Sequence, residues 1–379
     1  MPGAGTPSRA SMLYWHIGAT QMRLRAVTPR TVIGSKSGTW SWGSFQAGGG
    51  ADPRGRRGAR GRAEGVGGLM VPRPGAPAAF PRAYREGMSD AHDDHAPDGW
   101  IRQDADRTRL AIRLPRDDDD KYTRGVLGVR TGSDRYPGAA VLGVEAAART
   151  GVGMIRYLGP AGASASVLAR RPEVVTADGR VQAWLVGSGM DRAHRDEAAT
   201  DAIVAALGQG LPAVVDAGAL DLVGRATGPV VVTPHFRELS RLLDGAGIRA
   251  SAEDIAADAS GWAERAAREL GVCVLLKGAT TFVVGGSARI AVRAGTPWLA
   301  TAGSGDVLGG VLGALTAGAS ARIADAADPL AELAAVAAAA AWLHGRAGGL
   351  ASGGGPTTAL DVAEAMPRAV RETLAGSGG

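Results

Sequence analysis

The stretch Gly295-Thr-Pro-Trp-Leu-Ala-Thr-Ala-Gly-Ser-Gly-Asp-Val-Leu-Gly-Gly310 places three small residues directly before Asp306. A run of small and apolar residues follows, from Val307 to about Ala319, and predicts a tight glycine loop that opens a buried helix. Backbone N–H groups at a helix start have no intrahelical partner, and with the helix dipole they favour an anion such as phosphate. We therefore predict a phosphate site at Gly305 and its neighbours, where Asp306 accepts a proton from an attacking hydroxyl.

The composition indicates a globular chain with a close-packed core. Of the 379 residues 45% are apolar and only 4% aromatic, and the 58 glycines are about twice the usual share of roughly 7%. No apolar run reaches the roughly 18 residues of a membrane span, so we expect no contact with a membrane. The single cysteine, Cys273, excludes an internal disulfide and lies in an apolar run, which favours a buried thiol and fits a reducing cytoplasm.

The net charge of +5 is unevenly distributed along the chain. Before Met88 there are 13 basic and 3 acidic residues, and the remainder has 29 basic and 34 acidic residues. Residues 1–87 show no sustained period, which predicts a disordered basic extension or sequence upstream of a true start at Met88. A nucleic-acid arm or a targeting peptide is the alternative for this segment, whereas the acidic remainder predicts no nucleic-acid surface. Residues 88–121 are predicted to be a flexible acidic lead-in, and 373–379 a flexible tail.

From Tyr122 to about residue 372, short apolar runs alternate with helical patterns. The predicted strands are Val126–Val129, Met154–Leu158, Ala183–Val186, Ala213–Val215, Val230–Thr233, Val272–Leu276, Thr281–Val284 and Arg289–Val292. The predicted helices are Gly138–Thr150, Arg195–Ala206, Arg237–Leu243, Ala252–Leu270, Val307–Ala319 and Leu330–Gly345. This alternation is typical of an α/β fold in which a mostly parallel sheet lies between two layers of helices.

Polar residues follow the predicted strands at their carboxyl ends, where ligands bind in sheets of this kind. They are Thr131–Asp134, Gly187–Gly189, Asp216, Thr233–His235 and Lys277–Thr281. We expect these residues to line one rim together with the loop before Asp306. Because the chain has no P-loop motif, the glycines of this loop are the candidates for phosphate binding.

Six motifs in this order resemble the ADP-dependent NAD(P)H-hydrate dehydratases of the ribokinase-like superfamily. The motifs are Tyr136-Pro-Gly-Ala-Ala140, Val186-Gly-Ser-Gly189, Val215-Asp-Ala217, Thr233-Pro-His235, Leu276-Lys-Gly-Ala-Thr-Thr281 and Gly303-Ser-Gly-Asp306. The resemblance covers about 122–372. The last motif alone also fits many sugar and vitamin kinases, so the resemblance depends on the combination.

The resemblance implies a three-layer αβα domain that repairs nicotinamide nucleotides. The S-form of hydrated NADH or NADPH would lose water, driven by cleavage of ADP to AMP and phosphate. The implied route is phosphoryl transfer to the hydrate hydroxyl and then loss of phosphate, a far better leaving group than hydroxide. Mg²⁺, a cytoplasmic location and a homotetramer are implied as well. The expected partners are the hydrated dinucleotide and ADP, without nucleic acid or membrane.

The resemblance also implies a base and a substrate site. Asp306 would be the base toward the hydroxyl, kept ionised by an ordinary pKa near 3.9 and by the helix N-terminus; a simple helix cap is the alternative. Ala139, Gly189, His235 and Asp306 would contact the hydrated dinucleotide. The alternatives are helix–sheet packing for the two small residues and a structural role for the histidine.

The implied nucleotide site lies on the other side of the base. Its residues would be Lys277, Gly278, Ala279, Thr280, Thr281 and Gly305. An ordinary hairpin turn is the alternative for the first five. No protein metal ligand is assigned, although Asp216 would either hold Mg²⁺ through water or cap a turn.

The chain departs from the family pattern at two points of the rim. Phe236-Arg237 replaces the usual Pro-Gly after Thr-Pro-His, and Gly218 stands where a second aspartate is common. Two other functions remain open from the sequence: an ATP-dependent kinase of a vitamin precursor or sugar, and a nucleotide-binding sensor without catalysis. The Lys-Gly-Ala-Thr-Thr motif disfavours the first, and the intact Asp306 disfavours the second.

Overall fold

The computed structural model describes residues 96–376, so the predictions for residues 1–87 lie outside the described residues. Nine strands form one sheet in this part of the chain. They are β1 Ile101–Arg102, β2 Val126–Arg130, β3 Met154–Tyr157, β4 Ala183–Val186, β5 Ala213–Val215, β6 Val230–Val232, β7 Cys273–Leu276, β8 Thr281–Gly285 and β9 Ala288–Val292. All eight strands expected from the apolar runs are present, with ends that differ by at most one residue.

The strand order brings the motif-bearing strands together in the middle of the sheet. The order is β1-β9-β8-β7-β6-β5-β4-β2-β3. Only β8 runs antiparallel to its neighbours, and the other pairings within the sheet are parallel. Val186, Val215 and Val232 are aligned across β4, β5 and β6. The residues that follow them therefore leave the sheet at one edge, as the rim hypothesis requires.

Helices cover both faces of the sheet. They are α1 Ala105–Ala111, α2 Pro137–Thr150, α3 Ala161–Arg170, α4 Glu197–Leu207, α5 Phe236–Gly245, α6 Ala252–Ala257, α7 Ala259–Leu270, α8 Ser304–Gly318, α9 Ser320–Asp325, α10 Pro329–Ser352 and α11 Ala359–Ala375. One hydrophobic cluster packs α1–α3 and α8–α11 against the sheet. The other packs α4–α7 against the opposite face, which completes a three-layer αβα sandwich.

The strands are apolar on both faces because both faces are covered. Val214 and Val231 belong to the cluster on the α8 side. Their neighbours Val215 and Val232 belong to the cluster on the α5 side. Parallel strands buried on two sides read as continuous apolar runs rather than as alternating ones. This property made the strands visible in the sequence.

The structure differs from the sequence predictions at both ends of the domain. Within the expected lead-in of residues 88–121, β1 pairs with β9 and α1 packs on α10. The fold therefore begins before Tyr122. These elements escaped prediction because β1 has two residues and α1 buries only Thr108 and Ala111. At the other end α11 continues to Ala375, so the expected tail from residue 373 is wrong for its first three residues.

One predicted helix is two helices in the structure. The expected span Ala252–Leu270 is interrupted at Asp258, which ends α6 and caps α7 by accepting a hydrogen bond from the backbone of Gly261. Aspartate is a favoured N-cap residue, so the break had a signal in the sequence. No helix among residues 96–376 is long and apolar enough to span a bilayer.

Glycines set the distance between α2 and α8, the two helices that reach the rim from one face. A side chain at Gly310 of α8 would collide with the backbone carbonyl of Gly143 in α2. A Cβ at Gly143 would in turn lie 3.4 Å from the carbonyl oxygen of Asp306. The two helices consequently meet backbone to backbone, which only glycine permits.

Candidate active site

The glycine loop before Asp306 opens helix α8, as predicted. Gly303 is the N-cap residue and has a left-handed backbone with φ of +86°. It has no side chain with which to cap the helix. The Ser304 N–H donates to the Thr301 carbonyl and the Val307 N–H to the Gly303 carbonyl, so the N–H groups of Gly305 and Asp306 between them are the ones that a ligand would meet. Asp306 lies in the first turn of α8 and not at its N-cap. The alternative role of Asp306 as a simple helix cap is therefore wrong.

Lys277 is held at the rim by two carboxylates. Its Nζ donates to Asp216 Oδ1 over 3.2 Å and lies 3.6 Å from Glu238 Oε2. Burial opposes the charge on the ammonium, but the two carboxylates outweigh it and raise the pKa of Lys277 above its usual range. The lysine therefore stays a fixed cation, in contrast to a solvated surface charge.

Asp216 is the centre of this polar cluster. Its carboxylate also accepts hydrogen bonds from Ser188 Oγ at 3.0 Å and Thr233 Oγ1 at 2.6 Å. The three donors follow β4 and β6, which flank β5 in the sheet, and β7, the next strand beyond β6. Asp216 makes no side-chain hydrogen bond to the helical turn that follows it, so the turn-capping alternative is wrong. Its visible role is to orient Lys277.

Lys277 and the start of α8 converge on the same point. A Cβ placed on Gly305 would lie 3.6 Å from Lys277 Nζ. The ammonium and the uncapped backbone of the helix start thus face a common space beside Asp306. An anion in this space would meet a positive side chain and a positive helix end together.

The pKa of Asp306 differs from the sequence expectation. Burial and then the nearby charge of Asp216 raise it to about 6, although Lys277 acts in the opposite direction. The expected ordinary pKa near 3.9 is wrong, because sequence reasoning weighed the helix end and not the burial of the carboxyl. The group is still mostly ionised at neutral pH. A general base is most effective when its pKa lies near the working pH, so the shift favours proton abstraction.

Asp306 lines a cleft with a volume of about 1190 Å³. Ala139 and Gly189 line its wall near Asp306, and a side chain at Gly189 would collide with the Ala139 methyl group. Ala139 and Gly189, the two predicted substrate contacts, are therefore in direct contact, and neither has a long side chain that would fill the cleft. The cleft continues between the turn Ala217–Arg225 and helix α5. Its volume is somewhat larger than the roughly 300 to 1,000 Å³ typical of ligand sites in proteins.

His235 is the N-cap of α5. Its Nδ1 accepts from the backbone N–H of Glu238 at 3.3 Å, and Glu238 Oε2 accepts from the backbone N–H of His235 at 2.9 Å. The two residues form a capping box. The side chain is about 50% exposed and is not part of the cleft wall, whereas Glu238 is. The structural role of His235 is thus visible, and its contact with the dinucleotide stays a prediction.

The predicted nucleotide segment is the connection between β7 and β8, an antiparallel hairpin. Gly278 and Ala279 are exposed, and Thr280 and Thr281 are partly exposed at the rim. A Cβ at Gly278 would lie 3.3 Å from the ring of Phe236. The unusual Phe236 therefore packs against the glycine of this segment, and the two residues constrain one another.

Close packing explains why glycine stands at position 218. Any side chain at this position would collide with the backbone of Met190 across the cleft, so a second aspartate does not fit this backbone. Arg195 holds the same turn: its guanidinium donates to the Gly218 carbonyl and to both oxygens of Asp221. Sequence reasoning missed Arg195, since a single arginine near a helix start carries no specific signal.

The described residues contain no group of three or more His, Cys, Asp or Glu side chains that would hold a metal ion. A cation site built from protein ligands alone is therefore absent from residues 96–376. Mg²⁺ commonly binds through one or two carboxylates and the phosphates of a nucleotide. The carboxylates beside Lys277 fit that mode.

The fold and the site together define a ribokinase-like α/β protein. The chain is similar to the crystal structure of an ADP/ATP-dependent NAD(P)H-hydrate dehydratase from Bacillus subtilis, with a TM-score of 0.62 and 22% identity. The alignment covers 73% of this chain and 99% of that one. A ribokinase-like superfamily protein from Enterococcus faecalis gives a TM-score of 0.63 at 22% identity, over 74% of this chain and 99% of the other.

Within this class the chain belongs to the NAD(P)H-hydrate dehydratase family, whose model matches residues 127–368. It is 44% identical over 225 residues to the bifunctional NAD(P)H-hydrate repair enzyme Nnr of Mycobacterium tuberculosis, covering 55% of this chain and 45% of that protein. It is 32% identical over 263 residues to the ADP-dependent (S)-NAD(P)H-hydrate dehydratase of Neisseria meningitidis, covering 63% of this chain and 83% of the other. The chain thus spans half or less of the length of the bifunctional relatives it matches.

Proposed function

We propose that this chain is an ADP-dependent lyase that dehydrates the S-form of hydrated NADH and NADPH, restoring the reduced nucleotide and giving AMP and phosphate. One observation carries the proposal: the Lys277 ammonium and the start of α8 meet beside Asp306, which lines a large cleft. An anion site beside a base supports phosphoryl transfer. The adjoining cleft supports an acceptor as large as a dinucleotide.

The proposed reaction has two steps. In the first, Asp306 accepts the proton of the hydrate hydroxyl while the hydroxyl oxygen forms a bond to the β-phosphorus of ADP. The bond between that phosphorus and the oxygen of the AMP leaving group breaks. In the second, the phosphate leaves with the C–O electron pair, and the neighbouring carbon gives up a proton to solvent as its C–H electron pair forms the double bond. The chain's contribution is positioning and charge stabilisation, since Lys277 and the helix start face the transferred group.

The two ligands are assigned to opposite sides of Asp306. ADP would bind at residues 277–281 and at Gly305, with its phosphates toward the Lys277 ammonium. The hydrated dinucleotide would bind in the cleft against Ala139 and Gly189. Three arginines and four carboxylates line that cleft: Arg135, Arg192 and Arg241, with Asp191, Asp221, Glu238 and Asp306. The arginines are the groups that would pair with the phosphates of the dinucleotide.

We also propose that Mg²⁺ enters with the nucleotide, since the described residues lack a protein-only cation site. The Bacillus subtilis protein was co-crystallised with ATP and Mg²⁺. A cytoplasmic location and a homotetramer are proposed on the resemblance alone. The single cysteine is buried within β7, and burial raises the pKa of its thiol, which is consistent with a reducing compartment. Light scattering after size-exclusion chromatography would measure the number of subunits.

The decisive assay follows the return of reduced-nicotinamide absorbance. Hydrated NADH or NADPH is incubated with the full chain, Mg²⁺ and either ADP or ATP. We expect recovery with ADP, together with equal amounts of AMP and inorganic phosphate. A stable phosphorylated product without recovery would identify a kinase instead. Nucleotide binding without turnover would support the sensor, and no recovery with either nucleotide would refute the dehydratase.

A further inference from the structure

Ser304 and His344 form a buried polar pair behind the phosphate-binding turn. Ser304 is the first residue of α8, and His344 lies in the second half of α10. Ser304 Oγ and His344 Nε2 are 3.2 Å apart, and the two residues are only 7% and 8% exposed. Neither residue lines the cleft. The pair is therefore outside the surface that the proposed ligands would touch.

Burial makes His344 a neutral group at working pH. It lowers the pKa of the imidazole to about 4, helped by the charge of Lys277 and opposed by the contact with Ser304. A neutral imidazole carries one donor and one acceptor nitrogen, so Nε2 pairs with a hydroxyl whichever tautomer is present. Breaking the pair would leave a polar atom unpaired in the core, which proteins avoid.

The helix that carries His344 is itself fixed against the chain leading to the turn. A side chain at Gly345 would collide with the backbone at Ala294 and Gly295, where the chain leaves β9. One helical turn on, a Cβ at Gly348 would lie 2.6 to 2.9 Å from the Leu299 side chain. α10 thus holds this segment at its beginning and middle by packing. The contact with Ser304 holds its end by a hydrogen bond.

We propose that His344 is a positioning residue, which fixes through Ser304 the direction of the first N–H groups of α8. Ser304 contacts His344 on one side of the helix start, while the next residue, Gly305, faces Lys277 on the other. Rotation of this turn would move the N–H groups away from Lys277 and shift Asp306 with them. The inference rests on the proposed function, because it assigns the turn to the transferred phosphate.

The test compares removal of the pair with its conservative replacement. Ser304→Ala and His344→Leu remove the hydrogen bond, and we expect each to lower kcat about tenfold, because small misplacements of a reacting group are costly. The KM for the hydrated dinucleotide should stay unchanged. The double variant should be no slower than either single variant, since coupled groups are not additive. Ser304→Thr and His344→Gln keep a hydrogen-bonding atom in place and should restore most of kcat.

A matched control separates positioning from general stability. Thr373→Ala removes another buried hydroxyl, which donates to the Ala369 carbonyl in α11; it should lower the melting temperature and leave kcat unaltered. Wild-type kcat in both Ser304→Ala and His344→Leu, or losses that add in the double variant, would overturn the proposal. If His344→Leu does not fold, Ser304→Ala against Ser304→Thr decides.

The positioning role of His344 can be tested even if the proposed dehydratase activity is not found. If the wild-type chain does not dehydrate hydrated NADH, calorimetric titration with ADP and Mg²⁺ replaces kcat. Ser304→Ala should then weaken ADP binding several-fold, with Ser304→Thr close to the wild type. Equal ADP affinities of Ser304→Ala and the wild type would refute the positioning role. Absence of ADP binding to the wild type would refute both proposals.

Discussion

Two helices begin at the same rim in opposite ways. At the start of α5, the His235 side chain accepts the Glu238 N–H and the Glu238 side chain accepts the His235 N–H. At the start of α8 the N-cap is Gly303, and the Asp306 carboxylate accepts no hydrogen bond from residues 96–376. The first helix end is satisfied by its own side chains. The second leaves the N–H groups of Gly305 and Asp306 without a side-chain cap, and burial raises the pKa of its carboxylate.

The largest effect is expected from the free carboxylate. Asp306→Asn removes the proposed base and should lower kcat about a thousandfold, within the range known for general bases, while ADP still binds by calorimetry. Unchanged turnover would remove Asp306 from the mechanism.

The same variant supplies its own control through stability. Because the folded chain holds the Asp306 proton more tightly than the unfolded chain, ionisation costs stability as pH rises from about 4 to about 6. Asp306→Asn should therefore raise the free energy of unfolding by about 1 to 3 kcal/mol at pH 7 and by little at pH 4. Denaturant titration at both pH values measures this gain.

Lys277 tests whether the open helix end needs the side-chain cation. Lys277→Gln keeps a polar, hydrogen-bonding side chain and removes the charge, and we expect the catalytic efficiency for ADP to fall about a hundredfold, similar to the loss of one preorganised donor. Arg268→Gln removes a cation that is paired only with the adjacent Glu269 among the described residues and should have no effect. A loss of the same size in both variants would mean that net charge, and not the site, is responsible.

The pH dependence should follow the burial of Asp306. Since the base works only when ionised, kcat/KM should fall about tenfold per unit below pH 6. A profile that stays flat to pH 4.5, with the fold intact by circular dichroism, would contradict the raised pKa or the role of the residue.

The smallest effect is expected at the closed helix end. His235→Asn keeps a favoured cap residue and removes the imidazole, so the melting temperature should change little. If His235 also contacts the dinucleotide, KM for the hydrated substrate should rise up to about tenfold. An unchanged KM would mean that His235 only caps α5 and does not contact the substrate. The start of α5 would then be purely structural, in contrast to the start of α8.

The sheet was predictable because its signal is local. Each central strand is a short run of apolar residues ended by a glycine or a polar residue, as at Val215-Asp216 and Val232-Thr233. The parallel register then brings these ends together without further information. The two-residue strand β1 and the short helix α1 gave no comparable signal, since an edge element buries too few residues to set a pattern.

The sequence predicted which residues form the candidate site, but it did not predict their charge interactions or the pKa of Asp306. Lys277, Gly305 and Asp306 were named from their motifs, and the structure brings them to one point. The role of Asp216 as the carboxylate that orients Lys277 depends on contacts between residues 61 positions apart. His344 meets Ser304 across 40 positions. Such contacts leave no trace in a single sequence, and neither does the burial that raises the pKa of Asp306.

The backbone contact between Gly143 and Gly310 links the two ligand sites mechanically. Ala139 and Asp306 stand on helices with no compressible side chains between them at this crossing, so the width of the gap that separates them does not depend on rotamers. One added methyl group at position 310 would displace the base and the cleft wall together. Attempts to engineer substrate preference in this scaffold should therefore leave the helix crossing untouched and address the outer rim of the cleft.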